Sequence, residues 1–263
     1  MQQAIDISWP LLLLFSFTLL IPIGIGTHYR LGINKDILIG ALRMTLQLLC
    51  VGVYLEYLFT TDNMWLNLLW VALMIAIGAS AILDKAKVPK TLLFIPVSIG
   101  LLLGLAPMIL LLCWVVVKPT PMFGAQYVIP LCGMLLGNSL SGNIVALQNL
   151  FSAFEQRKPE YEAAISLGAS IDFATLPFVR DAMQKALAPI LASMATTGLV
   201  TLPGMMTGQI LGGTSPLIAI KYQLVIMIAI LVMMSLSIMT ALRLSIRKAI
   251  TPEGRVKVSL KPQ

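Results

Sequence analysis

The sequence predicts an all-α, polytopic membrane protein with about seven transmembrane helices. Of its 263 residues, 58% are hydrophobic and only 11% are charged, whereas a soluble domain carries about 25% charged residues. The apolar residues form runs of roughly 20, which is long enough to cross a bilayer as helices. We therefore interpret residues 1–263 as a single transmembrane domain surrounded by lipid.

Seven apolar segments follow one another along the chain. The first is interpreted as a retained span rather than a signal peptide, because residues 1–8 contain no Lys or Arg. Residues 202–221 are rich in Gly and Pro, and this pattern allows a short outer or re-entrant helix. The predicted spans are Trp9–Ile25, Ile37–Phe59, Trp65–Leu83, Thr91–Val117, Tyr127–Leu147, a segment near Ala186–Leu202, and Gln223–Leu242.

The basic residues lie in alternate loops, which indicates the orientation of the chain. Lys and Arg follow spans one, three, five and seven, and the intervening loops carry few of them. By the positive-inside rule the N-terminus faces outwards and the C-terminus faces the cytoplasm of a cell inner membrane. Residues 150–185 then form a cytoplasmic loop and residues 243–263 a basic cytoplasmic tail. Because the basic residues are scattered singly between apolar spans, the net charge of +7 does not indicate a nucleic-acid partner.

The cytoplasmic loop contains a complete signal for a short helix. Pro159 suits the first helical position, Glu160 suits the positive end of the helix dipole, and Gly168 can close the helix in a left-handed conformation. Three residues of this helix share one face at helical spacing and form an apolar stripe suited to a groove on another protein: Tyr161, Ala164 and Ile165. A second helix is expected to be capped by Ser170 and then ended or kinked by Pro177. The alternative is an ordinary solvated connector that folds back on the membrane surface.

The same helix resembles a known motif. Glu162, Ala163 and Ala164, followed by Gly168, are similar to the EAA motif of ATP-binding-cassette (ABC) permeases, whose loop docks as a coupling helix into a cleft of the ATPase subunit. The resemblance implies that the loop 150–185 is a coupling loop. Later positions depart from the motif, because Phe178, Arg180 and Asp181 stand where it has an apolar residue and a Leu-Pro pair.

A wider resemblance covers most of the chain. Its segments resemble the FetB-type permeases, which are described as iron exporters in bacteria and are related to plant aluminium-tolerance permeases. This resemblance implies a permease subunit of an ABC transporter that exports iron or another metal, forms a homodimer, and is driven by a separate ATPase subunit. The carrying segments are Leu202–Gly208, Ala219–Gln223, Ile129–Met134 with Gly137-Asn138, Ser166–Ala169, and Arg43 with Gln47.

The chain contains no phosphate-binding loop of the Gly-x-x-x-x-Gly-Lys-Ser/Thr type. We therefore expect no catalytic residues and no cofactor in this chain, with ATP and Mg²⁺ bound by the partner ATPase. Two other functions stay open: a non-transporting ABC-like scaffold or signalling subunit, and a permease for a non-metal substrate such as a nucleotide sugar. A secondary transporter is disfavoured because Glu56 is the one acidic residue within the spans.

Polar residues within the spans are candidates for the transport path. Arg43 and Gln47 lie in the second span, where a charge is costly and faces protein or water. They line the path, or they form a helix-packing pair or a snorkelling anchor. Asn138 and Asn143 add polar groups to the fifth span, with the same two interpretations.

Small residues recur every fourth position in two segments, which is typical of close helix packing. One stripe is Gly204, Gly208 and Gly212, and the other is Gly133, Gly137 and Ser141. Pro203 and Gly204 are expected to interrupt a helix in the outer half of the membrane. Met205 and Met206 are interpreted as lining residues rather than thioether metal ligands, because the chain has 15 methionines, most of them fillers. Any metal-binding residues stay unknown.

Overall fold

The computed structural model describes residues 7–121, 123–251 and 253–258, and these fold into helices joined by short connections, as the sequence predicts. A 3-10 turn joins the first two helices, and a π-helical segment, Leu112–Val117, extends the fifth. The helices are α1 (Trp9–Ser16), α2 (Leu20–His28), α3 (Asn34–Thr61), α4 (Met64–Ala86), α5 (Lys90–Leu111), α6 (Ala125–Gln156), α7 (Lys158–Ser166), α8 (Ile171–Thr196), α9 (Gly204–Leu211) and α10 (Pro216–Ala249).

The core of the molecule lies between α5 and α10, which form the most extensive helix pair. Gly100 and Gly104 make this close approach possible. A Cβ atom added at Gly104 would lie 2.7 Å from the Met233 carbonyl oxygen, and one at Gly100 would lie 2.9 Å from the Ser237 carbonyl oxygen. Since both neighbours are backbone atoms, neither can move away without shifting α10.

Helices α4, α6 and α8 pack around this pair, whereas α1, α2 and α3 make few contacts with it. Leu58, near the end of α3, is buried against Ala125 and Ile129 of α6. None of the most apolar part of α3 is buried within the chain. The N-terminal helices therefore expose almost their whole surface to the surroundings of the chain.

The sixth predicted span is wrong in its boundaries. Six helices among the described residues are long and apolar enough to cross a membrane, and a span at Ala186–Leu202 is not among them. Instead, α8 begins at Ile171, continues through Pro177 and ends at Thr196. Helix α8 carries Asp172, Arg180, Asp181 and Lys185, so it contains no stretch as free of charge as the other six helices do.

Helix directions nevertheless require α8 to return the chain from one end of the bundle towards the other. The Asn143 side chain of α6 meets Ser237 of α10, and Tyr161, which follows α6, meets Gly254, which follows α10. Helices α6 and α10 therefore run in the same direction. Since Phe154 near the end of α6 stacks on Phe178 near the start of α8, α8 runs in the opposite direction.

Basic loops converge at one end of the bundle, which we call the basic end. There the Lys90 ammonium pairs with Asp84 at 2.7 Å, and Gln148 of α6 donates to the Lys85 carbonyl oxygen at 2.9 Å. Arg157 and the last turn of α10, with Arg247 and Lys248, lie at the same end. The grouping agrees with the alternation of charge in the sequence.

Candidate functional site

Helix α7 lies at the basic end and has the local features that its sequence predicts. Pro159 stands in the first turn, and Glu160 is the acidic residue of that turn. Gly168 has a φ of +85°, which lies in the left-handed region of backbone conformation. Residues other than glycine rarely adopt this conformation. The Ser170 hydroxyl oxygen accepts from the backbone N–H of Phe173 at 3.3 Å and caps α8.

Arg157, at the junction of α6 and α7, joins three helices. Its guanidinium donates to the Glu160 carboxylate at 2.6 and 2.7 Å and to the Asp181 carboxylate at 2.8 Å. It also lies 4.8 Å from the centroid of the Phe178 ring. The hydrogen bonds from Arg157 lower the pKa of Glu160 and keep this carboxyl ionised. Arg157 thus links the start of α7 to α8.

Tyr161 lies on the inner side of α7 and is 2% exposed. Its ring meets Phe154 edge to face at a centroid distance of 5.5 Å and Phe178 at 6.3 Å. Its hydroxyl donates to the Gly254 carbonyl oxygen at 2.9 Å. Burial raises the pKa of Tyr161, because a phenolate there would lose its hydration.

The described residues after α10 fold back over α7, and we call residues 250–251 and 253–258 the C-terminal strap. The backbone N–H of Lys257 donates to the Ala249 carbonyl oxygen at 2.7 Å, and that of Thr251 donates to the Arg255 carbonyl oxygen at 2.9 Å. Gly254 has a φ of +81°, and a Cβ atom there would lie 3.0 Å from Cγ2 of Ile165. A side chain larger than hydrogen would therefore disturb both the turn and its contact with α7.

These contacts show how much of the expected docking stripe is open. Tyr161, Ala164 and Ile165 do share one face, on which Tyr161 is buried by α8 and the C-terminal strap, whereas Ala164 and Ile165 are only partly buried. Glu162 and Ala163 are exposed. The large apolar side chains left open beside α7 are Leu167, 89% exposed, and Phe173, 70% exposed. They flank the Gly168 turn, and we call the pair the apolar tip.

Arg43 and Gln47 both lie exposed on α3, four residues apart and therefore on one face. Within the described residues, neither side chain makes a hydrogen bond or an ion pair. The structure therefore does not support a pairing within one chain. A protein partner for these two side chains is therefore not found in the part of the chain that the structure describes.

The two asparagines of α6 have different surroundings. Asn143 is 1% exposed, and its amide oxygen accepts from the Ser237 hydroxyl at 3.2 Å. Asn138 is exposed, and its amide nitrogen donates to the Met134 carbonyl oxygen at 2.8 Å. Asn143 therefore joins α6 to α10 as a packing residue, whereas Asn138 presents its amide oxygen on the outside of the chain.

The segment around Pro203 also differs from expectation. Pro203 does not interrupt a helix: it precedes Gly204, the first residue of α9. Helix α9 is the short helix that the Gly- and Pro-rich composition allowed. It packs on α10, and Met205 and Met206 are both half-buried.

The predicted small stripes do not make close contacts within the chain. A Cβ atom at Gly204, Gly208 or Gly137 would meet nothing within 4 Å. The close approach occurs at Gly100 and Gly104 instead, a Gly-x-x-x-Gly pair within an apolar run. That pattern was visible in the sequence and could have identified the α5–α10 contact.

No cluster of three or more His, Cys, Asp or Glu side chains suited to a metal ion occurs among the described residues. Arg43 is exposed within an apolar span and has no hydrogen-bond or ion-pair partner among the described residues, so the packing of this chain does not explain it.

Comparison with known proteins places the chain in a family. Residues 9–250 match the family model described as "Uncharacterised protein family (UPF0014)". A UPF0014 membrane protein of Synechocystis is 34% identical over 88% of this chain and 88% of its own length. The "probable iron export permease protein FetB" of Escherichia coli is 33% identical over 87% of this chain and 86% of its own. The protein ALUMINUM SENSITIVE 3 of Arabidopsis thaliana is 33% identical over 79% and 75%.

No solved structure matches the chain significantly. The family match and the relatives confirm the resemblance to FetB-type permeases and to plant aluminium-tolerance proteins. The chain is a multi-pass membrane protein and belongs to the UPF0014 family.

Proposed function

We propose that the chain is the membrane subunit of an ABC transporter that exports a metal ion, with iron as the leading substrate. Two copies form the path across the inner membrane, and a separate ATPase binds the basic end, which faces the cytoplasm. ATP and Mg²⁺ act on that partner. ATP turnover moves α7 and so alternates the access of the path.

The observation that carries this proposal is the apolar tip. Leu167 and Phe173 are 89% and 70% exposed, at the end of the bundle where the charge pattern indicates cytoplasm rather than lipid. Two large apolar side chains this exposed, six residues apart in the chain and on either side of the Gly168 turn, favour a protein interaction site at this end. The tip also belongs to the segment that resembles the coupling loop of ABC permeases, so an ATPase is the expected partner.

The fixed attachment of α7 suits a coupling role. Arg157 ties it to α8 through Asp181, and Tyr161 ties it to the C-terminal strap after α10. A force applied to the apolar tip would therefore reach two long helices of the bundle. A flexible connector would lack such attachments.

The homodimer is supported by polar side chains of α3 and α6, which lie at the same depth in the membrane but on different faces of the chain. Arg43 lies about 22 Å along α3 from Leu58, at about 1.5 Å per residue. Leu58 packs against Ala125 and Ile129 of α6, and Ser141 lies about 18–24 Å along α6 from those two residues. Arg43 and Ser141 therefore lie at a similar depth in the membrane.

Asn138 and Ser141 are exposed on α6. A two-fold axis along the membrane normal preserves depth, so Arg43 and Gln47 of one copy can meet this polar face of α6 in the other.

Iron and the direction of transport follow from the relatives. The Escherichia coli relative bears the name of an iron export permease, and the Arabidopsis relative is named for aluminium sensitivity. Both names concern metal ions, which favours a metal over a nucleotide sugar for this chain.

Docking is tested by capture of the ATPase, whose gene is expected beside that of the permease. The variants Leu167→Glu and Phe173→Glu should reduce capture at least tenfold, because each buries a charge in the interface. Leu199→Glu serves as the control, because Leu199 is an exposed position just after the end of α8, away from the basic end. Equal capture by the wild type and both tip variants would refute the docking site. Normal capture without any metal-stimulated ATP turnover would favour the scaffold alternative.

A further inference from the structure

A groove between α4, α5 and α6 is not explained by the proposed transport function. It has a volume of about 270 Å³ and lies near the end of the bundle opposite to the basic end. Its floor is formed by buried side chains, including Leu105, Val128 and Cys132. Its rim consists of exposed apolar side chains, among them Leu68, Leu102 and Leu110, each 48–49% exposed. The groove thus opens sideways, towards the surroundings of the bundle.

One polar side chain lies within this apolar lining. Asn67 of α4 is 3% exposed, and neither its amide nitrogen nor its amide oxygen has a hydrogen-bond partner among the described residues. Buried polar groups in native proteins are almost always paired, and an unpaired primary amide in apolar surroundings is unfavourable. Here the amide nitrogen, a donor, and the amide oxygen, an acceptor, are both unpaired beside an open groove. This indicates a ligand that supplies an acceptor for the nitrogen and a donor for the oxygen.

The position of Asn67 limits the chemistry of that ligand. Asn67 lies one helical turn from Met64, the first residue of α4, so its amide is within about 5 Å of the helix end. From Asn67 towards the middle of the bundle, the groove follows α5 from Leu110 to Leu102, which is about 12 Å along the helix. No charged residue lines the groove, so neither a metal ion nor a multiply charged solute would find a counter-charge there. An aliphatic chain with a neutral polar group at its upper end fits this profile.

We propose that this groove is a binding site for a membrane glycerophospholipid. An acyl chain lies along α5 between Leu110 and Leu102, and an ester carbonyl oxygen accepts from the Asn67 amide nitrogen. A hydroxyl or ammonium donor of the headgroup reaches the amide oxygen. The depth agrees, because ester groups lie at the border of the hydrocarbon core, where a helix such as α4 begins. The site binds lipid whether or not the chain exports a metal.

Two substitutions test the site in the full-length protein. Asn67→Leu replaces the amide by an apolar group of similar shape, and Ala106→Phe fills the groove, which Ala106 lines. Ala72→Phe is the matched control, because Ala72 is exposed on α4 but does not line the groove. Each protein is purified in detergent with added dioleoyl phosphatidylethanolamine, and retained lipid is counted by native mass spectrometry. Thermal unfolding is measured with and without the lipid.

The wild type and Ala72→Phe should retain at least one lipid per chain. Asn67→Leu should lower occupancy by about tenfold, the value of one or two lost hydrogen bonds, and Ala106→Phe should lower it at least as much because its ring occupies the space of the acyl chain. Without lipid, Asn67→Leu should unfold about 2–4 °C above the wild type, because it removes an unpaired amide. Added lipid should close this gap by stabilising the wild type alone. Equal lipid retention in all four proteins would overturn the proposal. So would unchanged retention with altered dimerisation, which would show that a second copy covers the groove.

Discussion

The hydroxyl of Tyr161 offers a sharp perturbation, because one substitution removes a single hydrogen bond between α7 and the C-terminal strap. In Tyr161→Phe the ring contacts with Phe154 and Phe178 are kept, and the Gly254 carbonyl oxygen loses its donor. Gly254 is buried, so the unpaired carbonyl should cost about 1–3 kcal/mol. This cost falls on the attachment of the strap rather than on the α5–α10 core.

Hydrogen–deuterium exchange of the purified protein measures the effect directly. Amides that close the strap, such as those of Thr251 and Lys257, should exchange roughly 5- to 150-fold faster in Tyr161→Phe, since every 1.4 kcal/mol is a factor of ten. Tyr127→Phe is the control, because Tyr127 is 43% exposed on α6. If exchange in the strap were the same in both variants, the hydroxyl would not hold the strap, and the attachment of α7 to α10 would have to be abandoned.

Two further perturbations test the packing and the orientation. Gly104→Leu should destabilise the monomer by about 1–3 kcal/mol or more, because its Cβ atom would lie 2.7 Å from a backbone oxygen. Gly208→Leu has open space around it and should change monomer stability by less than about 0.5 kcal/mol. Equal losses of stability for the two variants in thermal unfolding would contradict this ranking. The exposed Cys50 is first replaced by Ser so that it does not react. In that protein, Asp62→Cys should react with a membrane-impermeant thiol reagent in spheroplasts, and Lys87→Cys should not. The reverse pattern would show that the orientation in the membrane is the opposite of the one proposed.

Much of the fold could be predicted because hydropathy and charge act locally. The second predicted span, Ile37–Phe59, lies within α3 (Asn34–Thr61), and the short helix after Pro159 begins and ends as its residues indicate. The sixth span was misplaced because α8 carries charges into its apolar half. Hydropathy over a fixed window does not detect a helix that begins among charged residues.

The candidate site was predicted less well, because periodicity identifies a helical face but not what covers it. Tyr161 and Gly254 are 93 residues apart, and nothing local to either residue indicates their contact. Nothing in the sequence around Phe173 indicates that its side chain is left exposed beside α7 and belongs to the apolar tip. Likewise, a glycine repeat shows that helices can approach closely, while the choice between Gly104 and Gly208 depends on which helix faces α10.

The central claim is that this chain moves a metal ion across the membrane at the expense of ATP bound by a partner. The most direct measurement is iron accumulation in inside-out membrane vesicles that contain the permease and its ATPase. The account predicts uptake that requires ATP, is lost in Phe173→Glu, and is accompanied by iron-stimulated ATP turnover. If the assembled complex hydrolysed ATP at the same rate with and without metal, and no iron entered the vesicles, the proposed export function would be contradicted.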